Sequence, residues 1–284
     1  MIDSIVLRAS SPMICDVEVI SSIVAWSENK LKTQLGVSLD EYSTARMLSS
    51  DQGETVTFTS VIGGGIKFEI EFLPESLRYL AESQGTVFAD QADCDLSHLC
   101  SIISKSLAII HDAAPAVFES VRGLLRVVHL LHLEDDNYDV SFTLPELPHS
   151  IFISIPQQIS SVNVLRLAEA IVHEVMHLQL SILETRAPLV RQDVPVEMAF
   201  APWRGEERPI SGVIHGLFVF RTIENLYLNY LKISDKSELP YLEDRLNEIT
   251  RQRLCIDNRK YISLTEYGDF LLTSILGDSK EVAL

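Results

Sequence analysis

Cysteine is scarce in this sequence, and its spacing excludes the usual cysteine-based sites. The 284 residues include Cys15, Cys94, Cys100 and Cys255, and no two of them have the CxxC spacing of a zinc knuckle. The set is also too sparse and irregular for a disulfide framework. His98 lies between two cysteines in the segment DCDLSHLC, but this spacing fits no zinc pattern, so we predict ordinary helix packing there. We expect reduced thiols in a cytoplasmic protein.

Positive charge and long apolar runs are also in short supply. The chain has 23 Lys and Arg residues against 40 Asp and Glu residues, which gives a net charge of −17. A surface this acidic argues against nucleic acid as a partner, because phosphate binding needs a basic face. No stretch reaches the roughly 18 consecutive apolar residues of a membrane span. Asp3 stands where a signal peptide would be basic. We therefore expect no nucleic acid and no membrane among the partners.

What is present is a globular composition with clear periodic segments. Hydrophobic residues make up 46% of the chain, as in ordinary folded domains. Apolar residues alternate over positions 54–60 and 66–72 around three consecutive glycines, which predicts a β-hairpin. The segments YDVSFTLPELP and HSIFISIP predict two short strands, and the apolar run 124–135, which contains His129 and His132, predicts a buried one. Helical patterns cover 16–50, 95–118, 164–183, 211–231 and two segments of the tail.

These elements predict an α+β fold with a small antiparallel sheet and a mainly helical C-terminal half. No linker divides the chain cleanly. The best division places an α+β region at 1–120, for which peptide binding is a candidate role, and a metal-binding catalytic region at 121–284. The boundary is soft, and one domain is an open alternative.

The segment AIVHEVMHLQL, residues 170–180, carries the strongest chemical signal. His173 and His177 are four residues apart, so on a helix their imidazoles share one face and can bind one metal ion. Glu174 lies beside them and can reach a metal-bound water. The helix is apolar nearly all round and is therefore predicted to be buried. Buried polar groups lose water, and a metal ion supplies a reason for their presence.

The third metal ligand decides the class of site. A metzincin would have glycine and histidine where this chain has Leu180 and Leu183, so that class is excluded. Glu224 lies on a later apolar helix, as in thermolysin-like enzymes, but Leu228 stands where their aspartate would follow. The same helix carries His215, next to small residues that allow close helix packing. His215 is favoured as the third ligand, and Glu224 stays the alternative.

The loop before that helix contains a second signal, FAPWRGEERPISG. It brings together Trp203, Arg204 and Arg208 shortly before His215. Guanidinium groups bind carboxylates in a bidentate manner, so two arginines near a metal suggest a carboxylate anchor. An iron enzyme that uses 2-oxoglutarate needs such an anchor, whereas a zinc peptidase generally does not.

The two segments LAEAIVHEVMHLQLSIL and FAPWRGEERPISGVIHGLFVF together resemble the HExxH-motif peptide-modification family. Its members are 2-oxoglutarate- and iron(II)-dependent peptide β-hydroxylases that act on ribosomally made precursor peptides, and the resemblance covers residues 150–225. It implies iron(II) on His173 and His177 and places the tryptophan–arginine segment in the active site. The partners would be a precursor peptide and dioxygen, and Glu174 would be a hydrogen-bond partner near the metal. A jelly-roll is not expected, because its histidines lie on strands in an HxD motif.

Two other functions remain open at this point. In a zinc-dependent peptidase, Glu174 would deprotonate a zinc-bound water, and HSIFISIP would bind the substrate as an added strand. In a non-catalytic metal- or peptide-binding module, the same residues would only recognise a partner. The third ligand and the paired arginines distinguish the iron oxygenase from the zinc peptidase.

Overall fold

A mixed α+β fold surrounds one central sheet. The computed structural model describes residues 17–49, 51, 53–132, 139–234, 238–257 and 259–277, so Cys15 and the end of the predicted strand at 133–135 lie outside the described residues. The helices are α1 (Val17–Leu35), α2 (Thr44–Leu48), α3 (Tyr79–Glu82), α4 (Leu96–Ala113), α5 (Pro115–Leu124), α6 (Ser161–Glu184), α7 (Ile210–Tyr230), α8 (Leu239–Leu254) and α9 (Glu266–Gly277). The strands are β1 (Glu54–Ser60), β2 (Ile66–Phe72), β3 (Val127–Leu131), β4 (Ser141–Phe142), β5 (Ser150–Ser154), β6 (Met198–Ala201) and β7 (Glu206–Pro209).

The central sheet has the strand order β1-β2-β3-β5-β4. The predicted hairpin is confirmed, because β1 and β2 pair antiparallel across the glycine run. The prediction of an antiparallel sheet is wrong at the centre, where β2 pairs parallel with β3 and β3 pairs parallel with β5. Strands β3 and β5 are buried along their whole length. Such continuous burial is typical of parallel strands that are covered by helices, whereas antiparallel strands often have one face in solvent. Helices α4 and α5 lie in the connection between β2 and β3.

Helices α6 and α7 are the two long helices that the sequence predicted, and each begins and ends within three residues of its predicted bounds. Ser160 caps α6, because its side chain accepts a hydrogen bond from the backbone N–H of Asn163. Apolar residues cover most of both helices and pack into one core with α4 and α5. Burial on several sides thus holds α6 and α7 firmly side by side.

The segment between α6 and α7 is not the plain loop that its prolines suggested. Strands β6 and β7 pair antiparallel, with Met198 opposite Pro209 and Ala201 opposite Glu206. The turn of this ribbon holds Trp203 and Arg204, and β7 leads from it directly into α7.

The two regions proposed from the sequence, 1–120 and 121–284, have one helix and one sheet in common. Residue 120 lies within α5, and strands from both sides of it pair in the same sheet. In the part of the chain that the structure describes, no helix combines the length and the apolar character that crossing a bilayer requires.

Candidate metal centre

One face of α6 carries a stripe of polar side chains on an otherwise buried helix. Glu169, His173 and His177 follow at four-residue spacing, and Glu184 comes seven residues, about two turns, after His177. The His173 and His177 rings lie with their centroids 4.9 Å apart. The HExxH spacing thus brings both predicted ligands to one place on the helix surface.

Helix α7 adds His215 to this pair. The Nδ1 atoms of His177 and His215 are 3.4 Å apart, and the two rings are stacked at 16°. The Nε2 atom of His215 lies 2.7 Å from a carboxylate oxygen of Glu184. The three histidines predicted from the sequence are therefore neighbours, and Glu184 is an acidic partner that the sequence analysis did not find.

The spacing of His177 and His215 and the protonation state of His173 and His177 both fit a metal ion. Two imidazole nitrogens bound tetrahedrally to a zinc-sized ion at about 2.0–2.1 Å lie about 3.3–3.4 Å apart. Burial, followed by the charges of His173, His215 and Arg204, lowers the pKa of His177 well below its usual range. Burial also lowers the pKa of His173. Both rings are thus neutral, which is the form that binds metals. Within the described ranges, no three His, Cys, Asp or Glu side chains lie in the arrangement of a complete metal site.

Glu174 points away from the solvent, toward the sheet. Its carboxylate is buried, accepts a 2.7 Å hydrogen bond from the Ser141 hydroxyl of β4, and lies 4.0 Å from His173 Nε2. Burial raises the pKa of Glu174 to about 7, although hydrogen bonds from Ser141 and Thr143 lower it. Glu174 therefore fastens α6 to β4 directly beside a predicted ligand.

An aromatic wall closes one side of the histidine group. The Trp203 ring lies 5.4 Å from the Phe220 ring, and Phe220 meets His173 edge-on at 5.5 Å. Gly216 of α7 allows this approach, because a Cβ atom there would lie 2.1 Å from Trp203 Cζ2. Trp203, predicted from the sequence as a site residue, thus contacts the helix that carries His215.

The two predicted arginines differ in their surroundings. Burial is the main cause that lowers the pKa of His173 and of His177, and the positive charge of Arg204 makes a smaller contribution to both, so its guanidinium lies within electrostatic reach of them. Arg204 is exposed, and its side chain makes no hydrogen bond or ion pair with the residues that the structure describes. Arg208 is exposed on β7 and forms an ion pair with Glu206 at 2.9 Å. Arg204 is therefore the better candidate for a carboxylate anchor.

Glu224, the alternative third ligand, faces a different part of the protein. Nine residues along a helix amount to two and a half turns, so Glu224 and His215 lie on opposite sides of α7. The Glu224 carboxylate is buried and pairs with Arg221 at 2.6 Å and with Arg253 of α8 at 3.0 Å. Its oxygens are thus engaged in an interhelical ion pair, which leaves His215 as the third-ligand candidate.

A second charged group borders the site and was not found from the sequence. Arg245 of α8 pairs with Glu169 at 2.5 Å, and the Tyr227 hydroxyl donates to Glu169 at 2.6 Å. The Arg245 guanidinium also lies 5.8 Å from the centre of the Phe220 ring. Glu184 could have been found from its position on the His177 face of α6. No sequence signal connects Arg245 with Glu169, because they are 76 residues apart.

The strand expected to bind a peptidase substrate is not free. β5 pairs along its whole length with β3, and β4 covers Phe152 and Ile153 on its other side. The prediction that HSIFISIP accepts a peptide as an added strand is therefore wrong, because both edges of this strand have partners.

A cavity of about 740 Å³ lies elsewhere, beyond the carboxyl ends of β3 and β5. Its lining includes Cys94, His98 and His132 but none of the predicted metal-site residues. His98 Nε2 is hydrogen-bonded to the Pro156 carbonyl at 2.8 Å, and the Cys94 thiol donates to the Asp90 carbonyl. His98 thus connects α4 to the segment after β5, whereas the Cys94 contact is local.

The chain matches no protein-family model. No curated protein is similar enough in sequence to match it.

Proposed function

We propose that the protein is an iron(II)- and 2-oxoglutarate-dependent oxygenase that hydroxylates a side-chain β-carbon of a ribosomally made precursor peptide. The observation that carries this proposal is the meeting of His173, His177 and His215 within electrostatic reach of Arg204, whose guanidinium has no hydrogen-bond or ion-pair partner among the described residues. The sequence resemblance of residues 150–225 to the HExxH peptide-modification family supports it.

His173 and His177 on the zincin-like HExxH helix α6 would hold the metal together with His215 of α7. Histidine nitrogens suit several divalent metals, iron included. When bound, iron(II) would couple the decarboxylation of 2-oxoglutarate by dioxygen, which yields succinate and carbon dioxide, to insertion of one oxygen atom into a C–H bond.

The protein's own residues would bind and orient the cosubstrate. Arg204 would pair with the distal carboxylate of 2-oxoglutarate, which a guanidinium can bind through two hydrogen bonds. Its exposure and its lack of a partner among the described side chains suit that role. Trp203 and Phe220 would exclude water on one side of the histidines. Glu174, held by Ser141, would keep His173 in its orientation.

Two observations disfavour the zinc peptidase. In the part of the chain that the structure describes, β3 occupies one edge of β5 along its whole length, and β4 occupies the other edge at Phe152 and Ile153. The Glu174 carboxylate already accepts hydrogen bonds from Ser141 and Thr143 in the protein interior, whereas a general base must reach a metal-bound water.

Turnover without a peptide tests the proposal. Metal-free protein would receive iron(II), 2-oxoglutarate and air, and succinate would be measured for the wild type, for His173→Ala and for His111→Ala. His111 is on α4, outside the histidine group, and serves as the control. We expect succinate from the wild type and the control, and only the iron-free background from His173→Ala, because one ligand is missing.

Metal analysis of the same samples identifies the competing function. Tightly held zinc, no detectable binding of 2-oxoglutarate and cleavage of a peptide bond would replace the oxygenase with the zinc peptidase. Equal succinate from the wild type and from His173→Ala would also contradict the proposal, because the metal would then lie elsewhere.

A further inference from the structure

Glu184 is the last residue of α6, and its carboxylate reaches the histidine group from the far side of His215. One of its oxygens lies 2.7 Å from His215 Nε2. The opposite ring nitrogen, Nδ1, lies 3.4 Å from Nδ1 of His177. The His215 ring therefore stands between Glu184 and His177.

The position of the His215 ring between Glu184 and His177 defines which of its nitrogens carries the hydrogen. A neutral imidazole has one N–H donor and one acceptor nitrogen. A carboxylate only accepts, so the contact at 2.7 Å requires the hydrogen on Nε2. In the neutral ring, the form that binds a metal, the lone pair is then on Nδ1, on the side of His177. Without Glu184 the ring would be free to adopt the other tautomer, in which Nδ1 carries the hydrogen and cannot bind a metal.

The same order argues against Glu184 as a ligand itself. Its carboxylate is separated from the nitrogen pair by the width of an imidazole ring. Metal-bound histidines usually donate their second N–H to a carboxylate or carbonyl, which fixes the ring and makes the ligand more basic.

We propose that Glu184 is a positioning residue that fixes the tautomer and orientation of His215 as the third metal ligand. The inference rests on the proposed metal site, and it adds an acidic residue outside the HExxH pattern to that site.

Metal affinity is the first test. Metal-free wild type, Glu184→Gln, Glu184→Ala and His215→Ala would be titrated calorimetrically with cobalt(II), which resists oxidation in air. Glu75→Gln is the control, because it removes an exposed, ion-paired carboxylate from another part of the fold. We expect Glu184→Ala to bind cobalt about 10- to 100-fold more weakly than the wild type. Glu184→Gln should lie between them, since its amide oxygen still accepts from Nε2–H. His215→Ala should bind most weakly.

The imidazole nitrogens of the metal-free protein give a second, independent readout. Nitrogen-15 spectra should show the Nε2–H tautomer of His215 in the wild type and in Glu184→Gln, and a mixture in Glu184→Ala. The signal that disappears in His215→Ala assigns the ring. This measurement needs neither metal nor activity.

Three outcomes would overturn the inference. Wild-type affinity in Glu184→Ala would show that the carboxylate has no positioning effect. An equal loss in Glu184→Gln and His215→Ala would make Glu184 a ligand. An Nδ1–H tautomer in the wild type would remove the physical basis. Absence of cobalt binding in the wild type would instead refute the metal site itself, whatever the tautomer.

Discussion

At the scale of single residues, the contact between Gly216 and Trp203 determines how closely the ribbon turn approaches α7. A Cβ atom on Gly216 would lie 2.1 Å and 2.5 Å from two atoms of the Trp203 ring. Gly212, one turn earlier in the same helix, has no heavy atom within 4 Å of the corresponding position. The two glycines therefore form a matched pair with opposite expectations.

Gly216→Ala should displace Trp203 and lower the free energy of unfolding by about 1–3 kcal/mol, as overpacking usually does. Gly212→Ala should be neutral or raise it by up to ~1 kcal/mol, because alanine favours helix more than glycine does. Urea unfolding measures both, and tryptophan fluorescence reports the displacement of Trp203. Equal stability of the two variants would contradict the packing described here.

The residue scale also shows what the sequence could predict of the site. The meeting of His173, His177 and His215 could be predicted, because helix periodicity and an apolar partner helix can be inferred from local sequence. Arg245 was not predicted, because its pairing with Glu169 depends on how α8 packs. Arg204 and Arg208 looked equivalent in sequence, and only the geometry of the ribbon distinguishes them.

At the scale of secondary-structure elements, a buried ion pair connects α7 with α8. Glu224 accepts hydrogen bonds from Arg221, Arg253 and Thr250, at 2.6 to 3.0 Å. Both arginines are nearly inaccessible to solvent. Removal of the carboxylate would take a negative charge away from two buried cations.

Glu224→Gln should therefore lower the free energy of unfolding by about 3–5 kcal/mol, the usual effect of breaking a buried pair. The folded variant should keep wild-type affinity for cobalt(II), because Glu224 faces away from His215. Urea unfolding and the same calorimetric titration test this, with exposed Glu243→Gln of α8 as the control. A cobalt affinity as low as that of His215→Ala would instead make Glu224 a ligand.

The elements differ in how well the sequence predicted them. Helices α6 and α7 and the β1–β2 hairpin depend on contacts near in sequence, and their bounds were predicted closely. The direction of β3 beside β2 was not, because their pairing joins residues far apart. The β6–β7 ribbon was missed because its strands have only four residues each and β7 consists of charged residues and a proline.

At the scale of the whole molecule, buried polar side chains join the N-terminal helices to the sheet. His129 of β3 donates from Nδ1 to the Glu71 carbonyl and accepts at Nε2 from Thr44. His149 donates from Nδ1 to the Leu124 carbonyl and accepts at Nε2 from Ser27. Each ring thus makes one donated and one accepted bond, which only a neutral imidazole can do.

This arrangement predicts a loss of stability in acid. Burial lowers the pKa of both His129 and His149 to about 4, although Glu71 raises the first. In the unfolded chain histidine has a pKa of about 6.5, so between pH 6.5 and pH 4 only the unfolded state binds the proton. The free energy of unfolding should fall through this window by ~3 kcal/mol for each histidine.

Urea unfolding at several pH values measures this fall. His149→Gln removes one of these groups and should reduce the pH-dependent loss by the ~3 kcal/mol expected for a single histidine. Proton NMR of the two rings in the folded protein is the decisive check, since ring signals that titrate near pH 6.5 would contradict burial of the neutral form.

The pairing of β2 with β3 also bears on how the chain folds. The paired residues Glu69 and Val127 are separated in the sequence by α4 and α5. Their contact therefore closes a long loop and costs chain entropy before it gains energy. The hairpin β1–β2 needs no such closure and can form on its own. Contacts between distant residues slow folding. We therefore expect the centre of the sheet to assemble late, after α4 and α5 have formed. The surface against which α6 packs would form at the same stage.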